Sequence, residues 1–204
     1  MINNIIFDLG NVLLSWKPEE YLIKNGYDAD LRATILNDVF KSPVWLQLDN
    51  GDIGLEEAVR TISLKSTLKT KEISDVFNLR TKIIFPLTCN TKLLPALKKQ
   101  GFRLYYLSNF PDDIFDEVHM KYNFFTFFDG GLISARVNAS KPDEKIFRIL
   151  MKQYSLQPEK SLFIDDSETN TFAAKMTGMK VIHLKDFNEL QGKLEKELGI
   201  NLGL

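Results

Sequence analysis

The sequence predicts an α/β fold: a mostly parallel sheet flanked by helices, with a helical insertion placed directly after the first strand. Three features carry that reading. Short β-branched and aromatic runs alternate with segments of helical periodicity. Gly101 and Gly178 stand just past two helical segments and immediately before the next apolar run, where a C′ residue belongs. The stretch from about Ser15 to Phe85 holds several helical patterns and no convincing strand. Strands alternating with helices of this length form right-handed βαβ units, and that handedness lays successive strands parallel.

The elements follow in order. Ile2, Ile5, Ile6 and Phe7 make a buried strand over residues 2–7, stopped by the turn-like cluster Asp8-Leu9-Gly10-Asn11. Leu55, Ala58, Val59 and Ile62, then Ile73, Val76 and Phe77, recur at helical spacing and mark the insertion. A helix over residues 91–100 closes at Gly101 and leads into a strand over 102–107. Ile146, Ile149, Leu150 and Tyr154 give a helix over 142–154, followed by a strand over 161–164 that ends at Asp165-Asp166. A helix over 168–177 closes at Gly178, and a strand over 180–184 follows. Residues 188–204 form a Lys/Glu-rich amphipathic helix with a solvated face. The chain thus divides into a core of residues 1–15 and 87–204 and a helical unit of residues 16–86.

Composition excludes several classes. The 204 residues are 44% hydrophobic and 26% charged, with 15 Phe, so the chain can bury a full core and is not mainly disordered. The net charge is −1 and the pI about 6.2, which leaves no global basic field for nucleic acid or an anionic membrane. The one cysteine, Cys89, cannot form an internal disulfide and reads as a small buried apolar residue. Residues 1–7 lack the positive region of a signal peptide and no 18-residue apolar run exists, so a cytoplasmic location is expected.

The strand ends carry the chemistry, because ligands of an open parallel sheet sit beyond the carboxyl ends of its strands. Those ends offer Asp8, Ser108-Asn109 and Asp165-Asp166, and the loop before one helix adds Lys141-Pro142. Singly, each has a bland reading: a turn aspartate, a helix-capping loop, a solvated lysine before a proline at a helix start. The acid pair is the exception, since two adjacent carboxylates after an apolar run repel unless a cation neutralises them. His119 and His183 flank no motif and are assigned no catalytic role, and their spacing offers no Ser-His-Asp triad.

Taken together and in this order, the motifs resemble the haloacid dehalogenase-like hydrolase superfamily. Ile5-Ile6-Phe7-Asp8-Leu9-Gly10-Asn11-Val12, Tyr106-Leu107-Ser108-Asn109, Lys141-Pro142 and Leu162-Phe163-Ile164-Asp165-Asp166 match its four motifs, and the insertion falls where that family carries a helical cap. The Asp-Leu-Gly-Asn-Val form and the Trp45 to Gly51-Asp52-Ile53 segment are similar to the branch containing sugar-1-phosphate phosphatases and the phosphatase domains of epoxide hydrolases. The resemblance implies a Rossmann-like three-layer core and a Mg²⁺-dependent phosphohydrolase of small phosphomonoesters, sugar phosphates among them, working through an aspartyl-phosphate. Asp8 is then the nucleophile, with Mg²⁺ held by Asp8, the carbonyl of Gly10 and Asp166, Asp165 lying beside it. Lys141 holds Asp8 and a phosphate oxygen, while Ser108 and backbone N–H groups around Leu9, Gly10, Asn11 and Asn109 serve the other oxygens. Asn170, one turn past the acid pair, braces that shell. The expected partner is a small phosphorylated metabolite, without nucleic acid or membrane, and the protein is a monomer or homodimer. Two other readings stand beside it: a metal-free 2-haloacid dehalogenase on the same fold, and a catalytically weak phosphate-binding or interaction protein.

One position departs from the pattern. The family's second aspartate, which protonates the leaving alcohol, is Gly10 here. General acid help is typically worth about 10²–10⁴-fold, so water, a residue of the insertion or an easy leaving group must make up the loss. Phe40, Trp45, Leu48 and Asp49 are the insertion residues to consider, with Phe40 and Trp45 expected to be mainly core.

Overall fold

All four residues of β1 (Asn4–Phe7) are buried, which their apolar run dictates for a strand covered on both faces. The computed structural model describes residues 1–203 and places β1 at the centre of a five-stranded parallel sheet. The remaining long strands are β4 (Arg103–Ser108), β5 (Gly130–Ile133), β6 (Ser161–Asp165) and β7 (Lys180–His183), in the order β5-β4-β1-β6-β7. Phe7 stands opposite Tyr106 on one side and Ile164 on the other, so the carboxyl ends of β1, β4 and β6 finish level. Alternation along β1 sends Ile5 and Phe7 into one apolar layer and Ile6 into a second with Leu107 and Phe163. The polar Asn4 is accommodated by donating to Ser161 Oγ at 3.1 Å and accepting from Arg103 Nε at 2.9 Å.

A two-stranded antiparallel ribbon joins the helical insertion to the sheet. Its strands, β2 (Leu14–Ser15) and β3 (Phe85–Pro86), pair Leu14 with Pro86 and Ser15 with Phe85. Each is two residues long, too short to leave a period in the sequence. Between them run α1 (Pro18–Lys24), α2 (Ala29–Ile35) with a π-helical extension Leu36–Phe40, α3 (Pro43–Asn50), α4 (Leu55–Ser63), α5 (Thr70–Asn78) and α6 (Arg80–Ile83). These helices bury their own apolar cluster, centred on Leu22, Val39, Trp45, Ile62, Ile73 and Phe77. Phe40 belongs to it, as expected.

Around the sheet lie α7 (Thr88–Thr91), α8 (Leu93–Lys99), α9 (Asp112–Lys121), α10 (Glu144–Tyr154), α11 (Glu168–Met176) and α12 (Leu190–Leu198). Gly101 at φ +88° and Gly178 at φ +95° end α8 and α11 in the left-handed conformation their positions implied. Arg80 ties the insertion to the core. Its guanidinium, 2% exposed, donates to the Asp113 carboxylate at 3.0 and 2.5 Å and to the Phe77 carbonyl at 2.8 Å. No helix among the described residues is long and apolar enough to cross a membrane.

Four details differ from the sequence reading. The helix expected over 142–154 starts at Glu144, because Asp143 caps it by accepting from Lys145 N at 2.8 Å and leaves Pro142 outside. The terminal helix is shorter than 188–204: it ends at Leu198, where Gly199 turns left-handed, while Leu190 and Leu194 form the buried face of the amphipathic helix. Residue 204 lies outside the described residues. Cys89 is half-buried rather than buried. Finally, β5 is not among the expected strands, because Gly130 and Gly131 head it and leave it no strand signature.

The rings of Tyr154 and Tyr106 explain the glycines. A Cβ on Gly130 would lie 2.4 Å from the Tyr154 ring and one on Gly131 2.3 Å from the Tyr106 ring. The Tyr154 hydroxyl also accepts from Gly131 N and donates to Gly131 O, each at 2.9 Å, so it seals the outer edge of the sheet. Gly131→Ala is therefore expected to lower stability by about 1–3 kcal/mol through overpacking, read as a fall in the urea midpoint at unchanged slope.

Candidate active site

Three strand ends and one loop meet around a buried ammonium group. Lys141, 4% exposed, places its Nζ 2.8 Å from Asp8 Oδ1 and 2.6 Å from Asp165 Oδ2. Asn109 fixes the Lys141 backbone from the end of β4: its Oδ1 accepts from Lys141 N at 2.8 Å and its Nδ2 donates to Lys141 O at 2.9 Å. Asp165, fully buried, accepts from Ser167 N at 2.8 Å and from Asn170 Nδ2 at 3.1 and 3.2 Å. Both its oxygens are thereby engaged. Asn170 braces the acid pair as expected, through Asp165.

Asp8 and Asp166 remain turned toward a cavity of about 280 Å³, which Gly10, Asn11, Ser108 and Asn109 also line. The loop after β1 is wound tightly beneath them. Asn11 takes a left-handed φ of +52°, and its side chain donates to Asp166 Oδ2 at 3.1 Å while accepting from Trp16 N at 3.1 Å. Leu9 is fully buried and spends its N–H on Asp8 Oδ1 at 2.7 Å, so that donor orients the carboxylate instead of standing free for a ligand.

The electrostatics are unbalanced. Three carboxylates, whose oxygens come within 4.8 Å of one another, face one ammonium. Burial raises the Asp8 pKa to about 7, with Asp165 and Asp166 adding to the rise and Lys141 opposing it. Asp166 is raised for the same reason, burial first, against the Asn11 hydrogen bond. Burial also works against the Lys141 charge, but Asp8 and Asp165 outweigh it and hold its pKa above the ordinary lysine value. The surplus negative charge and the all-oxygen cluster of Asp8, Asp165 and Asp166, with Gly10 lining the same cavity, suit a hard divalent cation. Asp165 also serves Lys141, Asn170 and Ser167 with the same oxygens.

The cavity's far wall comes from the ribbon, the insertion and the start of α9. Leu14, Trp16, Trp45, Ile84, Phe110 and Ile114 line it, together with Asp49. Trp45 is both core and wall, stacking on Phe77 and Trp16 with ring centroids 5.7 and 5.5 Å apart. Asp49, one of the four insertion residues the sequence offered, reaches the cavity because α3 docks there. One feature had no signal in the sequence: His183, assigned no role, has its Nε2 3.0 Å from the Asp166 carbonyl at the end of β7.

Comparison with known proteins agrees with this geometry. A family model described as haloacid dehalogenase-like hydrolase matches residues 54–184, a span that holds Ser108, Asn109, Lys141, Asp165 and Asp166 and begins after Asp8. The sesquiterpene phosphatase astK of Aspergillus oryzae is 29% identical over 181 residues, covering 89% of each protein. The drimenol cyclase drtB of Aspergillus calidoustus is 25% identical over 202 residues, 98% of this chain but 37% of that protein, so the chain spans little more than a third of its length. Among solved structures, a HAD family enzyme from Bacteroides thetaiotaomicron, in complex with magnesium and inorganic phosphate, has a TM-score of 0.71 at 23% identity over 93% of this chain and 99% of that one. That likeness is one of fold.

The central ion triad makes a stability statement. Lys141→Met leaves Asp165 buried without a counter-charge and is expected to cost about 3–5 kcal/mol in metal-free buffer at neutral pH. Urea unfolding of both proteins reads it, and an equal stability of the two would show that Lys141 does not carry the charge balance.

Proposed function

The chain belongs to the haloacid dehalogenase-like hydrolases, and from that membership and the site we propose that it is a Mg²⁺-dependent phosphatase of small phosphomonoesters with an apolar organic part, working through an aspartyl-phosphate on Asp8. The observation that carries the reading is the oriented Asp8 carboxylate. Leu9 N–H and Lys141 Nζ both hold Oδ1, at 2.7 and 2.8 Å, which leaves Oδ2 as the attacking atom. Asp8, Asp166 and the Gly10 carbonyl would hold Mg²⁺, which when bound supplies charge neutralisation for the approach of a dianionic ester. Lys141 stays protonated and presents its charge to a phosphate oxygen, with Ser108 at the same cavity face. Asp165, Asn109 and Asn170 keep that ammonium in place.

The metal-free dehalogenase reading is disfavoured by Asp166. A second carboxylate in the same cavity, its pKa raised by burial and by Asp165 against the Asn11 hydrogen bond, destabilises the site unless a cation sits beside it. The phosphatase named among the relatives, and the magnesium and inorganic phosphate of the Bacteroides enzyme, support the same choice. The substrate's organic part is read from the far wall. Six apolar residues offer burial to a hydrocarbon and few partners to sugar hydroxyls, whose desolvation would go uncompensated.

Two outcomes follow. Asp8→Asn should lose turnover of p-nitrophenyl phosphate while keeping the wild-type circular dichroism, and EDTA should silence the wild type until Mg²⁺ is restored; more than about a tenth of wild-type activity in the variant would remove Asp8 from the nucleophile's role. A prenyl or other long-chain alkyl monophosphate should be hydrolysed with kcat/KM at least about tenfold above glucose 6-phosphate, as burial of two or more extra methylenes allows. A preference for the hexose phosphate would contradict the reading of the apolar wall.

A further inference from the structure

Gly10 stands where the family's pattern places a proton-donating aspartate, yet the backbone there asks for no glycine. Its φ is not in the left-handed region, and a Cβ built on it would meet only Asp8 Oδ2, at 4.0 Å. The missing carboxyl is thus a chemical gap and not a steric necessity. Among the described residues lining the cavity, the helical insertion contributes one acid, Asp49, in the last turn of α3. Its Oδ1 is shut from solvent and has no hydrogen-bond partner, a costly state for an oxygen with nothing to receive.

The core holds Asp49 over the site. Ser134 Oγ, just past β5, donates to the Asp49 carbonyl, and Asn138 Nδ2 donates to the Gly51 carbonyl at 3.1 Å. Gly51 ends α3 at φ +75°, and a Cβ there would fall 2.3 Å from the Ala135 carbonyl oxygen, so only glycine lets the helix end seat this closely. These contacts lie on the backbone, while the Asp49 side chain meets Trp45 in the wall of the cavity.

We propose that Asp49 is the general acid–base that replaces the aspartate absent at Gly10. The assignment rests on the phosphatase reading and adds the proton's route. As Asp8 Oδ2 bonds to phosphorus, the P–O bond to the alcohol breaks, its electron pair stays on the leaving oxygen, and that oxygen takes the Asp49 proton. Asp49, now a carboxylate, then takes a proton from water as the water oxygen bonds to phosphorus. The bond from phosphorus to Asp8 breaks with its electron pair returning to the carboxylate, and phosphate leaves. Asp49 ends protonated, ready for the next ester.

Burial raises the Asp49 pKa to about 7, against the Trp45 side-chain hydrogen bond and the Arg80 charge and with a smaller push from Asp113, so both protonation states are within reach near neutral pH. The apolar wall that surrounds it is the source of that rise.

The test compares wild type, Asp49→Asn and the double variant Gly10→Asp/Asp49→Asn on a primary alkyl phosphate and on p-nitrophenyl phosphate, with Mg²⁺. Asp49→Asn should lose alkyl phosphate hydrolysis by about 10²–10⁴-fold. With the aryl ester, whose leaving group needs no proton, it should release a burst of one equivalent of p-nitrophenol and then turn over slowly. The double variant should regain part of the alkyl activity. Wild-type-like alkyl turnover in Asp49→Asn, or an equal loss on both esters without a burst, overturns the assignment while leaving the Asp8 reading intact. Absence of Mg²⁺-dependent hydrolysis by the wild type overturns both.

A readout independent of turnover accompanies it. A carboxyl whose folded pKa is raised stabilises the fold below its unfolded pKa, and that contribution is lost as pH rises through the folded value. In metal-free buffer, the Tm of Asp49→Asn relative to wild type should therefore rise between about pH 4 and pH 8. A difference that stays constant over that range contradicts a buried, proton-holding Asp49.

Discussion

The Lys141 ammonium, clamped between Asp8 and Asp165 at 2.8 and 2.6 Å, is the constraint on which the rest of the site depends. A buried charge is tolerated only where opposite charges and hydrogen bonds meet it, so the chain must bring two carboxylates and a fixed loop to one point. The parallel register does this. With Phe7 level with Tyr106 and Ile164, the residues that follow on β1, β4 and β6 arrive side by side. Asn109 then sets the lysine's backbone, and Asn170 with Ser167 N–H satisfies Asp165.

That arrangement divides labour between the two parts of the molecule. The core brings the Lys141 ammonium on a loop and two turned-in acids, Asp8 and Asp166, at the strand ends, which together suit a divalent cation and a phosphate ester. The insertion brings hydrocarbon and one carboxyl. Its position is not left to the ribbon alone: the buried Arg80 to Asp113 pair and the seat of Gly51 on Ala135 hold it at two separate points. Desolvation from the insertion's aromatic wall raises the Asp49 pKa, so the surface that would receive an apolar alcohol also keeps a proton near it.

How legible this was in the sequence follows the range of the interactions concerned. Asp8, Lys141, Asp165 and Asp166 stand at the ends of strongly apolar runs or beside a helix start, and such local signals survive in one dimension. Asn170 was readable from its one-turn offset. Strand β5 was not, because its glycines answer to tyrosine rings at positions 106 and 154 rather than to the strand itself. The ribbon strands were too short to carry a period. Asp49 was one of four candidates until α3 docked on Ser134 and Asn138, and the ion pair of Asp165 with Lys141 needed the distances themselves. Tertiary contacts decide these features, and a single sequence does not print them.

The central claim is that Asp8 takes the phosphoryl group. Rapid acid quench of the enzyme during turnover of a phosphate ester with Mg²⁺, followed by peptide mass analysis, tests it directly. The account predicts one added phosphoryl group, labile to hydroxylamine as an acyl phosphate is, on the peptide containing Asp8 and absent in Asp8→Asn. A stable adduct on another residue, or turnover with no adduct even when the second step is slowed by Asp49→Asn, would contradict it.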